Sequence, residues 1–254
     1  MNKDNYINES IKKLEIFSDS LSKIIRHPLI LDENYNLTTD IKSNQNSLDY
    51  CELWTFIKYI LIGWDENDPT ISIEIDFISS NGLINELSEF LEELLCSSYI
   101  KNCAIKHEIK KFLCLLNCLE STIENINCNP NCKHLIGKLF CELVKIIIKL
   151  IDIIAKLIVL LIFCHNNSEC NSNKNTVNSS FCHCLIHDLS KELSDLQKIL
   201  DELGCLAIDF IKCSIKKCNF CKDDDCYNKK CTPEYRNPCD TQYDEHCNCY
   251  NKRY

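Results

Sequence analysis

The stretch from Leu135 to Cys164 constrains this chain more than any other. It is almost wholly apolar, yet charges recur at Lys138, Glu142, Lys145, Lys149, Asp152 and Lys156. Their spacing alternates between four and three residues. That rhythm puts all six on one stripe of an α-helix and would scatter them over both faces of a strand. A membrane span needs about 20 mostly apolar residues, whereas the longest purely apolar run here is only Leu157 to Cys164. The expectation is a long central helix, buried over most of its circumference, with one solvated or partner-facing seam and no membrane span.

Other segments repeat the helical period. Ile7, Ile11, Leu14, Phe17, Leu21 and Ile24 lie on one face of a helix that His27-Pro28 ends. Leu31 to Asn46 is a polar loop. Ser47 to Ile62 reads as a buried helix, apolar nearly all round, with Gly63 placed to cap its end. Asp68-Pro69 resembles an N-cap followed by a first-turn proline. Ile71 to Phe77 alternates like a strand, but a lone strand has no evident partner in this chain. A short helix is expected there, turning at Asn81-Gly82 into a helix from Leu83 to Tyr99. Ala104 to Ile126 is another helix, and Cys128 to Cys132 a turn. Asn166 to Ser180 is a flexible surface linker of Asn, Ser, Lys and Thr. The last helix runs from about Phe181 to Lys217, with Leu189, Leu193, Leu196, Leu200 and Leu203 stepping by four and three residues along a core or partner seam. The fold class is all-α, with six or seven helices and an irregular tail.

That tail differs in kind. The last 37 residues hold seven cysteines and five tyrosines but no Leu, Ile, Val, Ala or Met. Such a segment cannot bury enough apolar surface to offset its ordering entropy, about 1–2 kcal/mol per residue for backbone alone. It must be stapled, metal-bound, disordered or held by neighbours. Residues 1–217 are expected to form a helical assembly domain, and 218–254 a cysteine- and tyrosine-rich cross-linking tail.

Composition excludes several functions. The chain has four glycines, none near another, so it lacks loops that cradle phosphate groups. A net charge of −9 gives the wrong field for nucleic acid. Abundant Ile, Asn and Lys with scarce Ala and Arg point to an A/T-rich genome. No zincin, nucleophile-elbow or haem-attachment motif occurs. No cofactor is expected.

The 21 cysteines are the second constraint. The first residues show no apolar run before Ile16, so no secretory signal is expected, yet at this density thiols normally belong to secreted scaffolds. Either the thiols bind metal inside the cell, or the protein is made inside and oxidised after assembly. An odd count leaves at least one cysteine unable to pair within the monomer. Cys218-Asn219-Phe220-Cys221 with Cys226 and Cys231 fits a four-ligand zinc or iron–sulfur site only in part, since the second pair is spaced too widely. Disulfide cross-linking is the stronger reading. Cys182-His183-Cys184 with His187 could hold a metal or an activated thiol, but spacing fixes no further ligand, and a helix start rich in surface thiols is preferred. Cys114 and Cys118 are helical neighbours, either offered to a partner or buried as small hydrophobes. Cys141 and Cys205 are expected in the core. Asp223-Asp224-Asp225 lacks a calcium-loop spacing and reads as a solvated patch.

The A/T-rich composition, the cysteines without a signal peptide, the helical apolar body and runs such as Cys218-Asn219-Phe220-Cys221 and His246-Cys247-Asn248-Cys249 resemble the cysteine-rich proteins of clostridial outer spore layers, above all the exosporium basal layer and coat. The likeness is one of type along the whole chain and not of an alignable motif. It implies synthesis in the mother-cell cytoplasm, self-assembly at the spore surface into a ring-based or hexagonal two-dimensional lattice, contacts with other spore-layer proteins, disulfide locking and no catalytic residues. The cross-linking candidates are then Cys103, Cys128, Cys132, Cys164, Cys170, Cys182, Cys184, Cys218, Cys221, Cys226, Cys231, Cys239, Cys247 and Cys249. The alternative is a cytosolic metal-binding or thiol-redox protein using Cys218, Cys221, Cys226 and Cys231; a helical adaptor with incidental thiols is a third.

Overall fold

Helices form wherever the apolar residues recur at helical spacing. The computed structural model describes residues 3–26, 50–64, 80–128, 132–165 and 177–215. Six helices occupy them: α1 (Lys3–Ile25), α2 (Tyr50–Ile62), α3 (Leu83–Cys96), α4 (Cys103–Asn125), α5 (Lys133–Cys164) and α6 (Val177–Ile215). There is no strand among the described residues. The protein is all-α. The segment 71–77 and the tail after Lys217 lie outside the described residues.

The apolar stripes predict the packing. Helices α5 and α6 form the central pair, α1 packs on α5, and α4 packs on α6. Helix α3 rests on α4, and α2 fills the corner between α3 and α4. Leu139, Leu143, Ile146, Leu150, Ile153, Leu157 and Leu160 of α5 are buried, as are Leu189, Leu193, Leu196, Leu200 and Leu203 of α6. Burying each such side chain contributes about 1.5–3 kcal/mol before entropy is counted. The α6 leucines are thus a core seam within the chain. Among the described residues no helix is long and apolar enough to cross a membrane.

Boundaries moved where a local cap overrides the apolar period. Helix α3 stops at Cys96 and not at Tyr99, because Ser97 is extended and its Oγ accepts from the Tyr99 amide at 3.1 Å. Asn102, fully buried, caps α4 by accepting from the Ala104 and Ile105 amides at 2.9 and 3.3 Å. Helix α6 begins at Val177, so the linker expected up to Ser180 is shorter. Asn178, Ser179 and Ser180 belong to the first turn of that helix, which a polar composition alone does not reveal.

Gly63 and Gly82 hold the corner between α2 and α3. Both have positive φ, +92° and +79°, a region open to glycine at no steric cost. A Cβ on either would strike the backbone of the other segment, Ser80 carbonyl oxygen against Gly63 and the Gly63 amide nitrogen against Gly82. The crossing is sealed by the Trp64 amide, which donates to the Ser80 carbonyl at 2.9 Å.

The charged stripe of α5 faces its neighbour as well as water. Glu192 of α6 accepts from Lys149 and Lys156 of α5 at 2.5 Å each. All three side chains are largely buried, at 16%, 20% and 33% exposure. The Lys149 hydrogen bond, then that of Lys156, holds the Glu192 carboxyl below the usual carboxylate range. A depressed carboxyl contributes stability that is full above its unfolded pKa, about 4.3, and is lost as pH falls through its folded value. Glu192→Gln should therefore cost about 1–2 kcal/mol near neutrality, and the gap between variant and parent melts should shrink below about pH 4. Thermal melts followed by circular dichroism across that range measure it.

Candidate functional site: disulfides and exposed thiols

Helix packing brings cysteines that are distant in sequence to bonding distance. Cys132, one residue before α5, bonds Cys213 near the end of α6 with the Cα atoms 5.9 Å apart. At the other end Cys164, the last residue of α5, bonds Cys182 near the start of α6 at 5.7 Å. Both Cα separations lie within the range a disulfide spans without backbone movement. The two helices are therefore antiparallel and clamped at both ends. The Lys149–Glu192–Lys156 cluster sits between the clamps in the same register.

Cys132 and Cys164 are fully buried and Cys182 nearly so. The end beyond Cys164 is tied further: the Lys101 amide donates to the His165 carbonyl at 3.2 Å, joining the start of α4 to the end of α5. Cys103, in the first turn of α4, is also disulfide-bonded.

A third bond joins α2 to the turn after α4. Cys51 bonds Cys128, with Cα atoms 5.3 Å apart. The same face of α2 carries Trp54 and Lys58, one and two turns on. The Trp54 Nε1–H donates to the Ile126 carbonyl at 3.1 Å, and Lys58 Nζ to the Glu124 carbonyl at 2.9 Å. These carbonyls belong to the end of α4, where a helix leaves acceptors unpaired and favours positive charge. Burial pushes the Lys58 ammonium down, and the Glu124 charge opposes this.

Of the cross-linking candidates, Cys128, Cys132, Cys164 and Cys182 are thus spent on bonds within the chain. Cys184 is an exposed thiol. Cys170, Cys218, Cys221, Cys226, Cys231, Cys239, Cys247 and Cys249 lie outside the described residues, and with them the alternative metal set. Cys51 and Cys213 were not among the candidates. Each sits inside a helix with no second cysteine within a turn, and only the span from Cys182 to Cys213, one residue shorter than that from Cys132 to Cys164, signals the Cys132–Cys213 pairing. Cys141 is exposed, which corrects its assignment to the core: the α5 surface is apolar on its outer side too, so an apolar context did not imply burial. Cys205, also expected in the core, is only half-buried, as are Cys114 and Cys118.

The Cys182-His183-Cys184/His187 group does not assemble as a metal site, because Cys182 is sealed in its disulfide and both histidines face water. Among the described residues no three metal-ligating side chains converge. An exposed aromatic pair lies beside Cys182: Phe163 and Phe181 meet edge to face with centroids 5.9 Å apart.

Family models, curated proteins and solved structures contain no match to this chain.

Loop length ranks the clamps. The Cys132–Cys213 bond closes 81 residues and Cys164–Cys182 only 18. The chain-entropy model gives about 4.5 and about 3 kcal/mol respectively. Replacing Cys132 and Cys213 together by serine should lower the thermal midpoint more than the same change at Cys164 and Cys182. Differential scanning calorimetry of the two double variants checks the order.

Proposed function

We propose that this chain is a structural protein that joins copies of itself through disulfides into a two-dimensional lattice in the outer layer, exosporium or coat, of a bacterial spore. One observation carries the reading. The described disulfides cross-brace the helical body from within, while Cys141 and Cys184 stand exposed on its outside. A body braced this way is a rigid tile, and outward thiols are the means of joining tiles covalently. The tail adds seven cysteines and no aliphatic residue, a composition suited to cross-linking and unsuited to forming a core. Ring-forming and sheet-forming contacts are both heterologous or two-fold patches of one surface, so a single chain suffices as building block. Synthesis and assembly in the mother cell, followed by later oxidation, make this cysteine content compatible with an intracellular origin. Other spore-layer proteins with accessible thiols are the natural further partners.

The oxidised protein should form sheets or rings visible by negative-stain electron microscopy and should run as a high-mass ladder on non-reducing gels. Reductant plus heat should collapse the ladder to monomer. Monomer alone after boiling in detergent without reductant would remove disulfides as the link between subunits.

Truncation after Lys217 separates folding from joining. The shortened chain should keep its helical circular dichroism, since the tail has no aliphatic side chain to give to a core. Its non-reducing ladder should shift toward shorter oligomers. Loss of helicity would place the tail in the body's packing instead.

A further inference from the structure

Helix α5 carries a second apolar stripe that the described residues leave largely open. Gly137, Cys141, Val144, Ile148, Ile151, Ala155, Ile158 and Ile162 step by four and three residues throughout. This is the seven-residue rhythm of a helix that packs knobs into holes against another helix. Cys141, Ile148, Ala155 and Ile162, each seven residues apart, are all exposed. Ile148 and Ile162 are 48% and 46% exposed, large hydrophobics that a finished surface normally covers. Val144, Ile151 and Ile158 are half-buried against the core and form the stripe's inner edge. The stripe runs about 39 Å along the helix.

We propose that this stripe is the non-covalent interface with a second copy of the chain, the two α5 helices running antiparallel about a two-fold axis between Ile148 and Ile151. Two features of the sequence on this face select that occupant. Laid against itself antiparallel, the stripe sets small residues opposite large ones toward its ends, Gly137 against Ile162 of the other copy and Cys141 against Ile158, and aliphatic residues opposite one another at its centre, Val144 against Ala155 and Ile148 against Ile151. The flanking charges match as well. In this register Lys145 of one copy lies beside Asp152 of the other, twice by symmetry, so opposite charges border the seam. Lys145 bonds Glu142 of its own chain at 2.8 Å, and an ammonium has donors left for a second carboxylate. The tail after Lys217 has no aliphatic side chain with which to fill such a seam. This interface rests on the reading that copies of the chain associate; it supplies the contact that precedes cross-linking.

The test separates the seam from the disulfides. Full-length protein is sedimented in reductant, with circular dichroism in the same buffer reporting helix content. The parent chain should be a dimer. Ile148→Glu places like charges at the centre of the seam, at a half-exposed site that the fold tolerates, and should weaken dimerisation at least about a hundredfold with helicity kept. Lys145→Asp should weaken it too, and adding Asp152→Lys should restore it. A second variant needs no reductant. In oxidised Ile158→Cys, peptide mass spectrometry should find Cys141 bonded to the introduced cysteine. Those positions are about 25 Å apart along one helix, so that bond can only join two copies. A reduced parent that is monomeric and helical, or a Cys141–Cys141 bond with no bond from Cys141 to the introduced cysteine, overturns the proposal. High-mass oxidised ladders in the same preparations would leave the cross-linking function standing, and their absence beside a reduced dimer would remove that function and keep the seam.

Discussion

Two long helices held by a repeating leucine stripe have a register problem. A seam that repeats every seven residues looks the same after a shift of seven, so burial alone distinguishes poorly between registers. In α5 and α6 the ambiguity is removed from both ends and from the middle. Cys132–Cys213 and Cys164–Cys182 fix the termini of the pair. Between them Glu192 must meet Lys149 and Lys156, and any shifted register would leave largely buried charges unpaired, which is strongly destabilising. The other helices depend on this pair. Helix α1 lies on α5 and α4 on α6, so an error in the hairpin would displace both.

The same combination of covalent and polar ties recurs at the end of α4. Trp54 is almost completely buried, yet its indole N–H reaches the Ile126 carbonyl, and Lys58 covers the next free acceptor. The Cys51–Cys128 bond holds α2 on that helix end. Helix termini are where backbone groups go unpaired, and here one face of α2 satisfies them and is pinned in place. Glu108, buried on α4, is joined by Lys111 at 3.3 Å, and Lys111 reaches toward Ser190 of α6 at 3.5 Å. The buried charges therefore sit at contacts between helices and help to specify which faces meet.

Much of this was readable from periodicity. The charges of α5 and the leucines of α6 announced two long helices and the faces they bury. Gly63 ends α2 as its place after the apolar run predicts, because only a positive φ there lets the chain turn back on the Asn81-Gly82 corner. Sequence was weaker where the deciding partner is remote. Nothing near Ser97 shows that the next amide will be drawn to its hydroxyl and end α3 early. The disulfide partners of Cys51 and Cys213 depend on the tertiary fold, because they lie 77 and 81 residues away in the chain. Cys141 departs from its core expectation for a related reason: α5 is apolar on its inner face, which meets the core, and also on its outer face, where Cys141 is exposed.

The distribution of sulfur gives the body and its surface different chemistry with oxidants. Cys132, Cys164 and Cys182 are buried where helix ends meet, so small redox reagents reach them only when those ends open. Docking of α5 and α6 holds each Cα pair within bonding range. The apolar seam can drive that docking with the thiols still reduced, as in a reducing compartment. Oxidation then locks a register already chosen. Cys141 and Cys184 are under no such restriction: their exposure leaves them open to exchange with any thiol or disulfide that reaches the surface. A fold that buries the Cys164–Cys182 brace and displays other thiols can be joined, and the joints broken and remade, without loosening that brace.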